Sequence, residues 1–271
     1  MTDVTHVDRA SQAWLTDPTV FEVNRTPAHS SHKWYARDPQ SGQWSDLKQS
    51  LDGEWRVEVV QAADINLEEE PATAESFDDS SFERIQVPGH LQTAGLMNHK
   101  YVNVQYPWDG HENPLEPNIP ENNHVALYRR KFTVSAPRGK RQAGRRIGVD
   151  RVPRHGHGDL RVGQRRIRRL RRRRLHPERI RHHRSVARRR KRRGRRLLRI
   201  RKRILLEDQD YWRLHGLFRS VELAAQPHVH IEDMKVEADW NPETATGSLD
   251  ALLAVRNAKN AATVSATLKD L

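Results

Sequence analysis

Asn103 in the run YVNVQYPW (Tyr101–Trp108) and Asp210 in LEDQDYWRLHGLFRSVEL (Leu206–Leu223) are the polar side chains of this sequence best placed for selective recognition. Tyr106 and Trp108 flank the first, Tyr211 and Trp212 the second. A ligand that presents hydroxyls in fixed directions needs amide and carboxylate groups that hydrogen-bond it from rigid backbone, beside aromatic faces. These two residues supply such groups. Residue type alone favours a plainer reading, with Asn103 capping a turn and Asp210 paired with Arg213.

Other candidates carry less chemistry. His29 and His32 have an H-x-x-H spacing with serine neighbours, but lack the third ligand and helical context of a metal site. Asp78 and Asp79 in SFDDSSF are adjacent, so on a strand they would point opposite ways and make a poor catalytic pair. Trp44 and Trp55 read as packing residues rather than ligand platforms.

The elements that must position these groups read as strands. GEWRVEVV (Gly53–Val60) alternates through Trp55, Val57 and Val59, and FERIQVP (Phe82–Pro88) and HVALYRRKFTVS (His124–Ser135) follow the same style. Between them lie SFDDSSF and PWDGHENPLEPNIPENN, crowded with turn formers. HLQTAGL reads as a short helical turn, and no long amphipathic helix is present. Further on, Val221–Trp240 alternates, NPETATG makes a turn, and SLDALLAVRNA and ATVSATLKDL alternate again. Pro227 marks a boundary within this series. The class is mostly β, and the strand series stopping at Leu271 suggests a truncated sandwich.

The 271 residues suffice for one domain and part of another. The absence of cysteine rules out disulfides and thiolate metal sites, and suits a cytoplasmic protein. The first twenty residues lack the pattern of a secretory signal, and no window reaches the length of an apolar membrane span. The expectation is a soluble, unexported chain without a membrane partner.

A net charge of +13 would ordinarily suggest an anionic partner. Its distribution changes that reading. Between Arg138 and Arg203, 31 lysines and arginines stand against three acids, Asp150, Asp159 and Glu178, whereas the other residues hold 17 bases and 32 acids. The chain is an acidic protein with a basic insert. The insert lacks interleaved aromatics for base stacking, so it implies no specific nucleic-acid partner. Its charge would still bind phosphate nonspecifically and with strong salt dependence.

The two site motifs, with FEVNRTPAHSSHKWY (Phe21–Tyr35), LDGEWRV (Leu51–Val57) and VPGHLQTAG (Val87–Gly95), resemble the N-terminal region of the large bacterial β-galactosidases of glycoside hydrolase family 2. The resemblance covers Trp14 to about Ser135 and resumes at Leu206. It implies an N-terminal jelly-roll (galactose-binding-like) β-sandwich in residues 1–137 and 206–227, followed by a truncated immunoglobulin-like β-sandwich in 228–271. It also implies that Asn103 and Asp210 bind galactose hydroxyls and that Asp210 helps ligate sodium.

The family's retaining hydrolysis uses two glutamates on a (β/α)8 barrel. That barrel is absent here, so no catalytic residue is assigned and the chain alone is expected to be inactive. The full-length family uses Mg2+ and Na+; neither is expected to bind this fragment tightly. The implied partner is a β-galactoside such as lactose, and a homo-oligomer is open for the full-length parent. Two alternatives from other classes are a noncatalytic carbohydrate-binding module and a nucleic-acid-binding protein acting through the basic insert. β-Glucuronidase or β-mannosidase fits EDQDYWRLHG less well.

Residues 138–205 should supply the rest of the jelly roll, yet they supply arginine. Back-translating His155–His183 with suitable synonymous codons and reading one nucleotide later permits an alternating strand, an Asn-Gly turn and a second strand. Arginine codons beginning with CG are what GC-rich coding sequence yields out of frame. The segment is therefore read as frameshifted between about Arg138 and Leu205, and its charge implies a disordered stretch that leaves Trp55, Val57 and Leu127 less covered.

Overall fold

The computed structural model describes residues 29–30, 32–35, 47–64, 71–74, 76–101, 112, 121–133, 146–152, 159–163, 166–171, 178–181, 190–198, 212–226, 229–258 and 263–267. They form twelve strands and two short 3-10 turns. The strands are β1 (Lys48–Ser50), β2 (Gly53–Gln61), β3 (Glu83–Val87), β4 (His124–Thr133), β5 (Arg146–Val152), β6 (Asp159–Gly163), β7 (Arg166–Arg171), β8 (Glu178–Arg181), β9 (Arg190–Leu198), β10 (Glu222–Gln226), β11 (His230–Asn241) and β12 (Thr246–Arg256). One sheet runs β3-β2-β4-β9-β6-β7, a second β1-β10-β5-β8, and β11-β12 stand as a hairpin.

The period-two pattern of β2 decides its inner face. Trp55 and Val57 are buried while Glu54 and Glu58 face outward, and Ile85 and Val87 of β3 join the same core. Ala126 and Tyr128 extend this face, and Leu223 of β10 with Val221 before it closes it from the second sheet. Trp55 donates its indole N–H to the Leu51 carbonyl at 2.9 Å, so its polar atom is satisfied inside the core. Trp55 is therefore a core residue; Trp44 lies outside the described residues.

β4 is buried on both faces from Val125 to Arg129. Arg129 explains the outer one. Its guanidinium pairs with Asp79 at 2.9 Å and donates to the carbonyls of Ala72, Ala74 and Phe77, pinning the 71–82 loop over the sheet. Asp78 turns away to close a local turn, accepting from the Ser80 amide at 3.1 Å and the Ser80 hydroxyl at 2.9 Å. The adjacent aspartates thus have unrelated structural jobs.

The arginine-rich segment departs from the expectation of irregular chain. Its backbone runs as five strands, and β9 lies between β4 and β6, registered from Val125↔Leu198 to Thr133↔Arg190. Trp55, Val57 and Leu127 are fully covered rather than bared. Ladder hydrogen bonds come from backbone, which any non-proline residue supplies. An extended chain also separates same-face charges by about 6.6 Å per two residues, compared with about 5–6 Å at i, i+4 on a helix.

The hairpin puts Met234, Val236 and Trp240 on one face with Leu249 and Leu253, through the registers Met234↔Leu253, Val236↔Ala251 and Ala238↔Leu249. Of the stretch ATVSATLKDL, only residues 263–267 are described. Residues 263–267 lie outside any strand, and Asn257, with φ +58°, turns the chain after β12. Among the described residues no helix is long and apolar enough to cross a membrane.

Candidate functional site

Two of the motifs singled out in the sequence meet on one edge of the sandwich. Pro88 ends β3, and the chain then runs antiparallel to residues 212–218. Gly89 N–H donates to the Leu217 carbonyl at 2.9 Å and Leu91 N–H to the His215 carbonyl at 2.7 Å. HLQTAGL forms its expected turn, with Ala94 bonded to His90 and Gly95 to Gln92, and Gly95 takes φ +75°. The chain then returns to the same partner, where Arg213 N–H donates to the Lys100 carbonyl at 3.0 Å.

Gly216 makes the close approach possible. Its φ is +136°, and a Cβ there would sit 2.6 Å from the Gly89 oxygen. Inward-facing side chains lock the clamp. Gln92 accepts from the His215 amide at 2.8 Å, and its side-chain nitrogen contacts the Arg213 carbonyl at 3.2 Å and His215 Nδ1 at 2.9 Å. An amide nitrogen only donates, so Nδ1 accepts and His215 carries its proton on Nε2. Arg213, His215 and Gln92 are all buried.

The outward residues are aromatic. His90 stacks on Phe218 at 5.4 Å with planes 9° apart, and the Arg219 guanidinium lies over the Phe218 ring at 5.5 Å from its centroid. Burial pushes the His90 imidazole below its ordinary value, the His215 backbone opposing, so it is neutral near pH 7. Trp212 meets Tyr101 at 5.6 Å with a 37° tilt, and His99 packs edge-on against Trp212 at 5.9 Å. Trp212 is 56% exposed and Tyr101 47%.

Asn103, Asp210, Tyr106, Trp108 and Tyr211 lie outside the described residues. In sequence, Asn103 stands three residues beyond Lys100 and Asp210 three before Arg213. The Tyr101–Trp212 pair and the Gln92–His215 lock were not singled out from sequence. The signal for the lock was available in RLHGLF and GHLQ, where polar residues take inward positions of an alternating segment.

His29 and His32 belong to a different place. Ser30 N–H donates to Asp233 at 2.6 Å, His32 engages Ser30 Oγ at 2.6 Å and the Ile231 carbonyl at 3.0 Å, and Trp34 Nε1 donates to the same carbonyl at 3.2 Å. The amides of Ser30 and Met234 hold the Asp233 carboxyl below its usual range. Both nitrogens of His32 are thus occupied in docking the 29–35 segment against β11. Among the described residues, no three His, Asp or Glu side chains are grouped to hold a metal ion.

Residues 48–227 match the model for the sugar binding domain of glycosyl hydrolases family 2. The chain is 42% identical over 305 aligned residues to the β-galactosidase BgaC of Bifidobacterium adolescentis, covering 98% of this chain and 26% of that protein. It is 35% identical over 255 residues to a β-galactosidase of Lactobacillus delbrueckii subsp. bulgaricus, covering 90% and 24%. It thus spans about a quarter of the length of these relatives. Among solved structures, a Ruminococcus gnavus β-glucuronidase superposes with a TM-score of 0.54 at 11% identity, over 78% of this chain and 33% of that one. That likeness concerns the fold.

Proposed function

The chain belongs to glycosyl hydrolase family 2, and from that premise we propose that it is the N-terminal part of a β-galactosidase, contributing Asn103 and Asp210 to the hydroxyls of a terminal β-D-galactose residue. The observation that supports the pairing is the Arg213–Lys100 backbone bond of 3.0 Å. It leaves Asn103 and Asp210 each three residues, at most about 11 Å of chain, from one fixed point. The amide would donate and accept while the carboxylate accepts only, a combination that distinguishes a hydroxyl by its direction.

In this reading the chain binds and orients, and the chemistry lies elsewhere. Retaining hydrolysis of a β-galactoside such as lactose needs two carboxyl groups about 5 Å apart, one protonating the leaving oxygen and one attacking the anomeric carbon. The family reading assigns both to glutamates of a barrel outside this sequence. Sodium at Asp210 rests on the same reading; the described residues offer no built ion site, and no step is routed through an ion. Purified as it stands, the chain should hydrolyse no aryl galactoside above background. Turnover that survives rigorous removal of host enzyme would overturn this reading, and calorimetry showing tight lactose binding would favour a self-sufficient carbohydrate-binding module.

The domain organisation follows the same premise: jelly roll over 1–137 and 206–227, an immunoglobulin-like start over 228–271, and 138–205 as jelly-roll strands translated out of frame. Resequencing the DNA across the codons for Pro137 and Leu206 tests the last point. A single uninterrupted frame without compensating shifts would sink it.

A further inference from the structure

We propose that Met97 is an oxidation site that governs the clamp: a two-electron oxidant such as hydrogen peroxide turns its thioether into a sulfoxide, which draws Gln92 away from its partners and loosens the hold of residues 88–100 on 212–218. The proposal stands on contacts among described residues and is independent of any sugar-binding role.

The chain has no cysteine and three methionines, so thioethers are its only sulfur. Met1 lies outside the described residues, and Met234 is exposed on the β11–β12 hairpin. Met97 is set apart by what its sulfur touches. Leu96 N–H donates to the Leu91 carbonyl at 2.9 Å, fixing the backbone one residue earlier, and half-buried Met97 packs against the core with its sulfur 3.3 Å from Gln92 Nε2. That nitrogen has two hydrogens and faces three acceptors: the Arg213 carbonyl at 3.2 Å, His215 Nδ1 at 2.9 Å and the sulfur. A thioether is the weakest acceptor of the three, so it leaves the lock to the other two.

Oxidation reverses that ranking. The sulfur gives two electrons to peroxide and bonds one of its oxygens, and the other oxygen leaves as water with both peroxide hydrogens. An oxygen acceptor now stands beside Gln92 Nε2 and claims one of its two hydrogens, so the bond to His215 Nδ1 or to the Arg213 carbonyl weakens. The same conversion puts a polar group where an apolar side chain packed against the core. Both effects fall on the segment that, three residues later, offers the Lys100 carbonyl to Arg213. Met234 undergoes the same chemistry but takes no part in the lock, which makes it an internal control.

Peroxide treatment of the full 271-residue chain, read by peptide mass spectrometry and amide hydrogen exchange, tests this. Met97 and Met234 should each gain one oxygen. Exchange should quicken about three- to tenfold, the loss of one hydrogen bond, at Leu91 and at His215, whose N–H is bonded to Gln92 Oε1 at 2.8 Å. Met97→Leu nearly conserves side-chain volume and should abolish the response while Met234 is still oxidised. Met234→Leu should leave the response intact. The proposal fails if Met97 stays reduced while Met234 is converted, if oxidised Met97 leaves Leu91 and His215 exchanging at the untreated rate, or if Met97→Leu still responds.

Discussion

Replacing Gly216 with alanine should damage the clamp far more than the same change at Gly95, although both glycines have positive φ. At Gly216 the added Cβ would lie 2.6 Å from the Gly89 oxygen, 3.1 Å from His90 Cα and 3.2 Å from the Leu91 nitrogen. A relaxed C···O contact is about 3.3 Å, so the two backbones must part by about 0.7 Å. All three neighbours are backbone, and none can swing aside. The flanking bonds, 2.7 Å at Leu91–His215 and 2.9 Å at Gly89–Leu217, would stretch beyond useful length. Their loss costs about 1 kcal/mol each, and alanine at φ +136° adds about 1–3 kcal/mol of strain. Stiffening of the unfolded chain returns about 0.4–1 kcal/mol, leaving a net destabilisation of about 2–4.6 kcal/mol. At Gly95, with φ +75° and nothing within 4 Å of the new Cβ, only the left-handed penalty of about 1–2 kcal/mol applies. The same offset leaves about 0–1.6 kcal/mol. Urea unfolding followed by tryptophan fluorescence measures both, and amide exchange at Gly89 and Leu91 localises the damage. Equal losses in the two variants, or unchanged exchange at those amides in Gly216→Ala, would refute the close-approach argument.

Three further outcomes are expected. Asp79→Ala should destabilise the chain by about 3–5 kcal/mol, because it strands the buried Arg129 guanidinium; an Asp79→Leu, Arg129→Met double variant should recover much of that loss in the same urea assay. Because burial holds the folded His90 below its ordinary value of 6.5, the unfolded chain takes up its proton first, so stability should decline as pH falls through about 6.5 and level off below the folded value. His90→Phe, which preserves stacking on Phe218, should remove that part of the urea-midpoint change. In the frame-restored, full-length parent, Asn103→Ala and Asp210→Ala should each lower galactoside kcat/KM with the thermal transition unchanged, and near-normal kinetics in both would return them to turn cap and ion-pair partner.

The elements that frame the clamp were legible because each solves a local problem in its own letters. GEWRVEVV alternates where one face is buried, Gly95 closes the turn that HLQTAGL begins, and NPETATG joins β11 to β12. The clamp was less legible, since it depends on residues more than a hundred positions apart. No periodicity announces that Gln92 must lock His215, or that Gly216 must admit Gly89. Arg129 was hidden differently: a charged residue in HVALYRRKFT reads as an outward position, and only the 71–82 loop folding across the sheet turns that position into an interior one.

The basic segment inverts this relation between letters and fold. β9 carries six cations in nine residues, RKRRGRRLL, yet the six-stranded sheet hydrogen-bonds it on both edges. Wholly buried Tyr128 has Arg195 as its registered partner, and fully covered Leu127 has Arg196. An interior strand ordinarily reads as an apolar run or an alternation, because residues set opposite each other share a face and an environment. Here the positions demand apolar side chains and the letters deliver arginine, while WRLHGLFR (212–219) just beyond again alternates buried and more exposed residues as its place in the clamp requires. Ordinary sequence drift would spread such conflict through the fold. Among the described residues the conflict runs from β5 to β9 at strand-length spacing, which is the pattern that the proposed frame shift would produce: backbone that fits the fold carrying letters that do not.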